Sequence, residues 1–294
     1  MSERIFNEDF FKKLNKINMN INFKLSSGTQ GGRKSKAKGV SVEFSDYREY
    51  APGDDFRRID WNAYGRFDKF FIKVFMEERE GVFNFFVDKS KSMDYGNENK
   101  KDTALKVVAA LSYIALNNLD RVNISTMDNG DIQSIKSAAG NKAFQRILKE
   151  LENIEFDGKT DLTSSIKKRP LTPRGVSVVI SDFLNNDGLK DLEDALKYLA
   201  FKKQDIILVQ ILSNEEIDPE FNNEITFIDS ETGENVKMSL TPSLIKEYKN
   251  TLKSYKKSIE DITRKYGGKF ISVNSSMEIE EIILGEFSKK RVLY

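Results

Sequence analysis

The strongest constraint on the fold is an alternation, from residue 82 onward, between short apolar runs and longer amphipathic runs. The apolar runs cover residues 82–87, 121–127, 175–181, 205–212 and 269–273. The amphipathic runs cover residues 101–118, 140–153, 188–202, 242–266 and about 277–288. Short, nearly continuous apolar runs indicate strands that are buried on both faces, and the helices between them indicate a mostly parallel sheet. The sequence therefore predicts an α/β fold with a doubly wound, mostly parallel, Rossmann-like sheet over residues 81–294.

The remaining segments predict additions to that domain. Residues 4–23 carry apolar side chains at helical spacing, and residues 26–39 form a basic loop rich in Gly and Ser. The run KFFIKVF at 69–75 is typical of a strand. We group residues 1–80 as an N-terminal helix/β extension that packs on the core. The run SETGE, between ITFID and NVKMSL, predicts a β-hairpin inserted at about 225–240.

The sequence contains no cysteine and no histidine, which narrows the available chemistry. Disulfides, the usual zinc sites and Ser-His or Cys-His nucleophiles are excluded. Carboxylates, hydroxyls, Lys, Arg, Tyr or a hard cation must carry any chemistry. The formal net charge of +1 gives no overall attraction to nucleic acid or membrane. No signal peptide or membrane-spanning run is recognised, and with the absence of cysteine this favours a cytoplasmic location.

Polar side chains follow the ends of two predicted strands and one loop between them. Asp88 follows FNFFV, with Ser90 and Ser92 at alternate positions after it, and Asp182 follows VSVVIS. The loop FDGKTDLTSS offers Thr160. Ligand sites in open α/β sheets form at the carboxyl ends of strands, and oxygen atoms are the ligands that Mg²⁺ prefers. These five residues therefore predict a metal site, whereas DKSKS taken alone is equally consistent with a turn that closes a strand.

The same motifs carry a family resemblance. DKSKS at 88–92, GKTD at 158–161 and ISD at 180–182 resemble, in order, the three-part metal-ion-dependent adhesion site of von Willebrand factor A domains. EFSDYREYAPGDDFRRIDWNAYGR at 43–66 is similar to the signature of the bacterial DUF58 family, whose domain is von Willebrand factor A-like. FIDSETGENVKMSLTP at 227–242 also resembles that family.

The resemblance implies a function. DUF58 members tend to be encoded beside MoxR-type AAA+ ATPases and are thought to serve them as metal-dependent adaptors or substrate binders. It implies that Asp88, Ser90, Ser92, Thr160 and Asp182 hold Mg²⁺ (or Mn²⁺ or Ca²⁺). The expected function is a non-enzymatic module that binds an acidic residue of a partner, either the ATPase or its client, through the cation.

Two features of the motif depart from the family pattern. Lys89 and Lys91 add positive charge beside the site, which would favour an acidic ligand. Lys159 stands where many members have a second glycine.

Two other functions are weighed against this one. A metal-dependent phosphohydrolase would use Asp88 as the nucleophile, but Ser90 stands where haloacid-dehalogenase enzymes place a second aspartate. Nucleic-acid binding would use Arg33, Lys34, Lys36 and Lys38, but this patch is short and lacks interleaved aromatic residues, so no nucleic acid is expected.

Several further acidic and basic residues have a structural and a functional interpretation. For Asp94 we expect an N-cap or a hydrogen bond to a site serine, and for Asp161 a structural role. The acids and arginines of residues 46–60 are expected to form a buried ion-pair knot. The alternative is a docking surface for a partner, with Trp61 as its anchor.

Overall fold

The computed structural model describes residues 5–18, 43–76, 81–184, 188–219, 225–228, 235–238 and 241–293. The chain divides into two compact units, which are residues 28–80 and the combination of residues 1–27 with 81–294. Helix α1 (Glu8–Asn18) thus belongs to the larger unit. The apolar stripe of α1 is buried in the same core as the central sheet, whereas residues 28–80 form a unit of their own.

The smaller unit contains two strands and one short helix. Strand β1 (Glu43–Glu49) pairs in antiparallel fashion with β2 (Phe71–Met76), and α2 (Trp61–Phe67) lies between them in the sequence. The strand predicted over KFFIKVF is β2. The basic loop at 26–39 lies outside the described residues.

The larger unit is built on a six-stranded sheet in its described part. Its strands are β3 (Val82–Asp88), β4 (Arg121–Asp128), β5 (Asp131–Ala139), β6 (Val176–Ser181), β7 (Asp205–Leu212) and β10 (Lys269–Asn274). The hairpin strands β8 (Ile225–Ile228) and β9 (Asn235–Met238) precede β10 in the chain. The spatial order is β10-β7-β6-β3-β4-β5, and only β5 runs antiparallel to its neighbour. The prediction of a doubly wound, mostly parallel α/β sheet is confirmed.

Helices cover both faces of this sheet. They are α3 (Lys100–Asn117), α4 (Phe144–Glu152), α5 (Leu162–Lys168), α6 (Gly188–Phe201), α7 (Asn214–Ile217), α8 (Pro242–Lys265) and a π-helical segment, Glu281–Phe287. One buried cluster joins α1, α3, α4 and the π-helical segment to Phe85 and Val87, and a second joins α5, α6 and α8 to Phe86. Successive residues of a strand point to opposite faces, so β3 contributes to both clusters.

Two local features refine the sequence prediction. The predicted hairpin is present, because β8 (Ile225–Ile228) pairs in antiparallel fashion with β9 (Asn235–Met238). Strand β5 is absent from the elements that the sequence predicts, because DIQSIKSAA is too polar to stand out as a strand. Asn129 and Gly130 both have positive φ, and an Asn-Gly pair between strands is the signal that would have revealed the β4–β5 hairpin. Among the described helices, none combines the length and the apolar character needed to cross a membrane.

Candidate metal centre

The predicted site residues lie where the strand order changes direction. From β3 the chain proceeds to β4 and β5 on one side, and then to β6, β7 and β10 on the other. Open α/β sheets bind ligands in the crevice at such a point. Asp88 is the last residue of β3, and Asp182 directly follows the neighbouring parallel strand β6. Both carboxylates therefore lie at this edge of the sheet.

Asp88 is buried, and neighbouring groups bind both oxygens of its carboxylate. The Thr160 hydroxyl and the Ser90 backbone N–H (2.8 Å) donate to Oδ1, and the Ser181 hydroxyl donates to Oδ2 at 2.5 Å. Burial, followed by the nearby charge of Asp182, raises the pKa of Asp88 above its ordinary value, although the hydrogen bonds act in the opposite direction. The bonds hold the carboxylate in one orientation.

The two serines after β3 meet beside this carboxylate. Ser90 is buried, Ser92 is partly buried, and their hydroxyl oxygens lie 3.1 Å apart. A 3₁₀ turn at Lys91–Met93 brings them together. The Lys91 N–H donates to the Gly158 carbonyl at 3.2 Å, and this bond ties the serine loop to the loop that carries Thr160.

Asp182 is held by groups that the sequence argument did not include. Its Oδ1 accepts the Leu184 N–H at 3.0 Å, and its Oδ2 accepts a hydrogen bond from the Lys100 ammonium at 2.8 Å. The same ammonium contacts Glu216 Oε1 at 2.6 Å. Burial lowers the pKa of Lys100, but Asp182 and Glu216 outweigh it and the net shift is upward. Glu216 shares this ammonium with Asp182, and because it is largely buried its pKa is raised despite Lys100.

The oxygen atoms at this edge fit a hard divalent cation. The predicted set consists of two carboxylates and three hydroxyls, which are the hard ligands that Mg²⁺ and Ca²⁺ accept. A hydroxyl that donates its hydrogen to Asp88 keeps its oxygen lone pairs available to a cation. Thr160 is bound in this way. In the described part of the chain, no group of three or more acidic side chains forms an alternative metal site.

Comparison with known sequences identifies the family. A family model described as "Protein of unknown function DUF58" matches residues 46–258, which is more than half of the chain. The chain belongs to the DUF58 family. Uncharacterized proteins of Mycobacterium bovis and Mycobacterium tuberculosis are 22% identical to it over 286 residues, with coverage of 95% of this chain and 89% of each relative.

Solved structures similar to this DUF58 protein include two distant ones. The conserved hypothetical protein BatB from Bacteroides thetaiotaomicron is 15% identical, with a TM-score of 0.45 and coverage of 71% of this chain and 98% of that chain. The SpRpn10 VWA domain is 10% identical, with a TM-score of 0.41 and coverage of 70% and 94%.

Charged residues beside the site of this DUF58 protein have structural partners. Asp161 is the N-cap of α5 and accepts the Ser164 N–H at 2.8 Å, which agrees with the structural role expected for it. Asp94 accepts hydrogen bonds from Asn99 and Lys101 rather than from a site serine, and Asn99 is the N-cap of α3. Lys89 forms an ion pair with Asp128 at 3.0 Å, so its charge beside the site is partly neutralised.

Among the described side chains of the DUF58 signature segment, the buried contacts gather around Asp60. This carboxylate is buried, caps α2, and binds the Tyr47 hydroxyl at 2.8 Å and the Lys73 ammonium at 3.0 Å. The other described ion pairs of the segment, such as Arg48 with Asp54, have exposed arginine or lysine side chains. Trp61 is 63% exposed and lies outside these buried contacts.

Three residues of the site escaped the sequence argument: Ser181, Lys100 and Glu216. Ser181 stands inside the ISD motif and is therefore visible in the sequence. Glu216 forms a capping box with Ser213, and the pattern Ser-x-x-Glu in the sequence indicates the start of helix α7. Nothing in the local sequence links Lys100 to either carboxylate, because the contacts span 82 and 116 residues.

Proposed function

We propose that this DUF58 protein is a non-enzymatic, metal-dependent protein-binding module. A divalent cation, Mg²⁺ or alternatively Mn²⁺ or Ca²⁺, is held by Asp88, Ser90, Ser92, Thr160 and Asp182, and it binds a carboxylate of a partner protein. The observation that carries the proposal is the convergence of hydroxyl groups on the buried Asp88 carboxylate, at the switch point of the sheet.

The charge of the ligands supports an acidic partner. Only two of the five ligand side chains carry a negative charge, and Asp182 already shares its charge with Lys100. Neutral hydroxyls leave the positive charge of a bound cation incompletely balanced. A carboxylate of the partner would supply the missing charge and one more oxygen ligand.

The partner class follows from the family resemblance. We propose a MoxR-type AAA+ ATPase, or a client of that ATPase, as the protein that supplies the carboxylate. The exposed Trp61 of the smaller unit is a separate candidate anchor for a partner, because exposed tryptophans are common anchors of protein interfaces.

The geometry around Asp88 argues against a phosphohydrolase. An aspartate nucleophile needs one oxygen directed at the phosphorus atom, with room beside it for the whole phosphate group. Both oxygens of Asp88 accept hydrogen bonds from the protein itself, and the side chain is buried. Hydrolysis of a generic phosphate ester that disappears in Asp88→Asn would contradict the proposed function.

The proposed function is tested by capture of partners from cell lysate. Wild-type protein is expected to retain the same partner in Mg²⁺ and to release it in EDTA, whereas Asp88→Ala retains none. Asp261→Ala is the matched control, because Asp261 is an exposed carboxylate on α8 whose described ion pair joins it to Arg264 in the same helix.

Folding of each variant is checked by circular dichroism. Asp88→Asn serves as a second variant if Asp88→Ala unfolds, since an asparagine oxygen in the place of Oδ1 still accepts hydrogen bonds from the Thr160 hydroxyl and the Ser90 N–H. Capture that persists both in EDTA and in a folded Asp88 variant would overturn the proposed function.

A further inference from the structure

Lys100 is a buried lysine at a position where a lysine is costly. Its side chain is 0% exposed, and its ammonium lies 2.8 Å from Asp182 Oδ2 and 2.6 Å from Glu216 Oε1. Lysine is almost never fully buried unless it is paired, because removing an ammonium from water carries a large desolvation cost. The two carboxylates, which are 4% and 17% exposed, stabilise the charge in this position.

Both carboxylates are held in place by other bonds. Asp182 also accepts the Leu184 N–H, and its backbone carbonyl accepts the Gln210 side-chain amide at 2.9 Å. Glu216 Oε2 accepts the Ser213 N–H at 2.8 Å in the capping box of α7. The ammonium is therefore a fixed positive charge that directly contacts one of the predicted metal ligands.

We propose that Lys100 positions Asp182 and limits the affinity of the site for divalent cations, because its fixed charge competes with the cation for the Asp182 carboxylate. This inference rests on the proposed function. It adds a residue that sets how strongly the module holds its cation before a partner carboxylate arrives.

Glu216 has the opposite effect on the site. Its carboxylate draws on the same ammonium and so reduces the positive charge that Asp182 and a cation experience. Removal of Lys100 should therefore strengthen cation binding, and removal of the Glu216 charge should weaken it. A merely structural ion pair predicts no such difference, because both substitutions break the same buried contact.

The test measures Mn²⁺ binding to the full chain by electron paramagnetic resonance, in which bound Mn²⁺ loses the signal of the free ion. Lys100→Met is expected to bind Mn²⁺ about tenfold more tightly than the wild type, since a unit charge near a divalent cation is removed. Glu216→Gln is expected to bind Mn²⁺ several-fold more weakly, and Lys100→Arg, which retains the charge, to stay within about threefold of the wild type.

A double variant keeps the Mn²⁺-binding test valid if Lys100→Met fails to fold. Lys100→Met leaves two carboxylates without their ammonium, and thermal melting shows whether that variant folds. In Lys100→Met/Glu216→Gln one of these carboxylates is neutral. Comparison of this variant with Glu216→Gln isolates the charge of Lys100. The double variant is expected to bind Mn²⁺ about tenfold more tightly than Glu216→Gln does.

The outcomes separate this inference from the proposed function. If the wild type binds Mn²⁺ and removal of Lys100 leaves the affinity unchanged or weaker in both backgrounds, the role of Lys100 is wrong and the metal site stands. If no variant binds Mn²⁺ at millimolar concentration, or if Asp88→Asn binds as well as the wild type, the proposed function itself fails.

Discussion

At the scale of single residues, the neighbouring residues Thr160 and Asp161 of the GKTD motif make different contacts. Thr160 directs its hydroxyl at Asp88, whereas the next residue, Asp161, directs its carboxylate at the start of α5. A side-chain oxygen at an N-cap satisfies a backbone N–H that has no partner within the helix. The Asp161 carboxylate is therefore engaged in capping α5, although its position in the loop alone would also suit a metal ligand.

Asp161→Ala is expected to lower the free energy of unfolding by about 1 kcal/mol, the usual contribution of an N-cap, and to leave Mn²⁺ affinity unchanged. Urea unfolding and electron paramagnetic resonance check the two parts. Asp161→Asn is the control and should be close to the wild type, because asparagine caps helices as well as aspartate does. A loss of Mn²⁺ binding in Asp161→Ala would instead place this carboxylate among the metal ligands.

Gly158 is a second residue whose neighbours set its role. Its φ is +92°, and a Cβ atom there would lie 2.9 Å from Asp128 Oδ1, the carboxyl group that pairs with Lys89. Gly158→Ala should displace the Thr160 loop and weaken Mn²⁺ binding several-fold. Gly140→Ala is the matched control, because Gly140 has a φ of +74° and no atom within 4 Å of its Cβ position. Equal Mn²⁺ affinities in the two variants would contradict a role for this contact.

At the scale of elements, Asp60 connects the three parts of the smaller unit. It caps α2 and binds Tyr47 of β1 and Lys73 of β2. The hydrogen bond from Lys73, followed by that from Tyr47, lowers the pKa of Asp60 from 3.8 to about 2. A carboxyl group with a lowered pKa in the folded state stabilises that state above its ordinary pKa, and the contribution is lost as the pH falls through the folded value.

The near-ultraviolet circular dichroism of Trp61 is expected to change as the pH falls from about 4 to about 2, because Trp61 is the first residue of α2 and the chain has no other tryptophan. In Asp60→Asn this change should be absent from that pH range. An unchanged acid transition in Asp60→Asn would assign the transition to other groups.

At the scale of the whole molecule, α1 shows that distance along the chain does not decide which unit a segment joins. Residues 28–80 form the smaller unit, yet the helix that precedes them belongs to the larger one. Its residues Phe10, Leu14 and Ile17 are buried in the cluster that includes α3 and β3. The helix therefore contributes to the hydrophobic core beneath the candidate metal centre.

Leu14→Ala is expected to lower the free energy of unfolding of the larger unit by about 2–5 kcal/mol, the range for a large-to-small substitution in a core. Guanidinium unfolding followed by far-ultraviolet circular dichroism measures the change. Lys12→Ala, on the exposed side of the same helix, is the control and should have little effect. A similarly small effect of Leu14→Ala would show that α1 is dispensable for the core.

Local patterns in the sequence determine much of this protein. Apolar runs such as FNFFV predict the buried strands because side-chain burial repeats along the chain, and Asp88 and Asp182 follow two strands that become neighbours. The edge strand β5 does not stand out in the sequence because its residues are mostly polar. The sequence also does not show which core α1 joins, because amphipathic periodicity indicates a buried face without indicating what covers it.

By itself, the sequence determined the α/β class, the inserted hairpin and the ordered motif from Asp88 to Asp182, because strand periodicity and strand-end motifs are local properties. Only the tertiary structure decided that Lys100 meets Asp182 and Glu216, since these contacts join helix α3, the loop after β6 and helix α7. A lysine in the sequence predicts an exposed side chain, because the desolvation cost of burial is prohibitive without partners. Only the packing of α3 against the strand ends supplies two carboxylates at once, and this makes the burial of the charge possible.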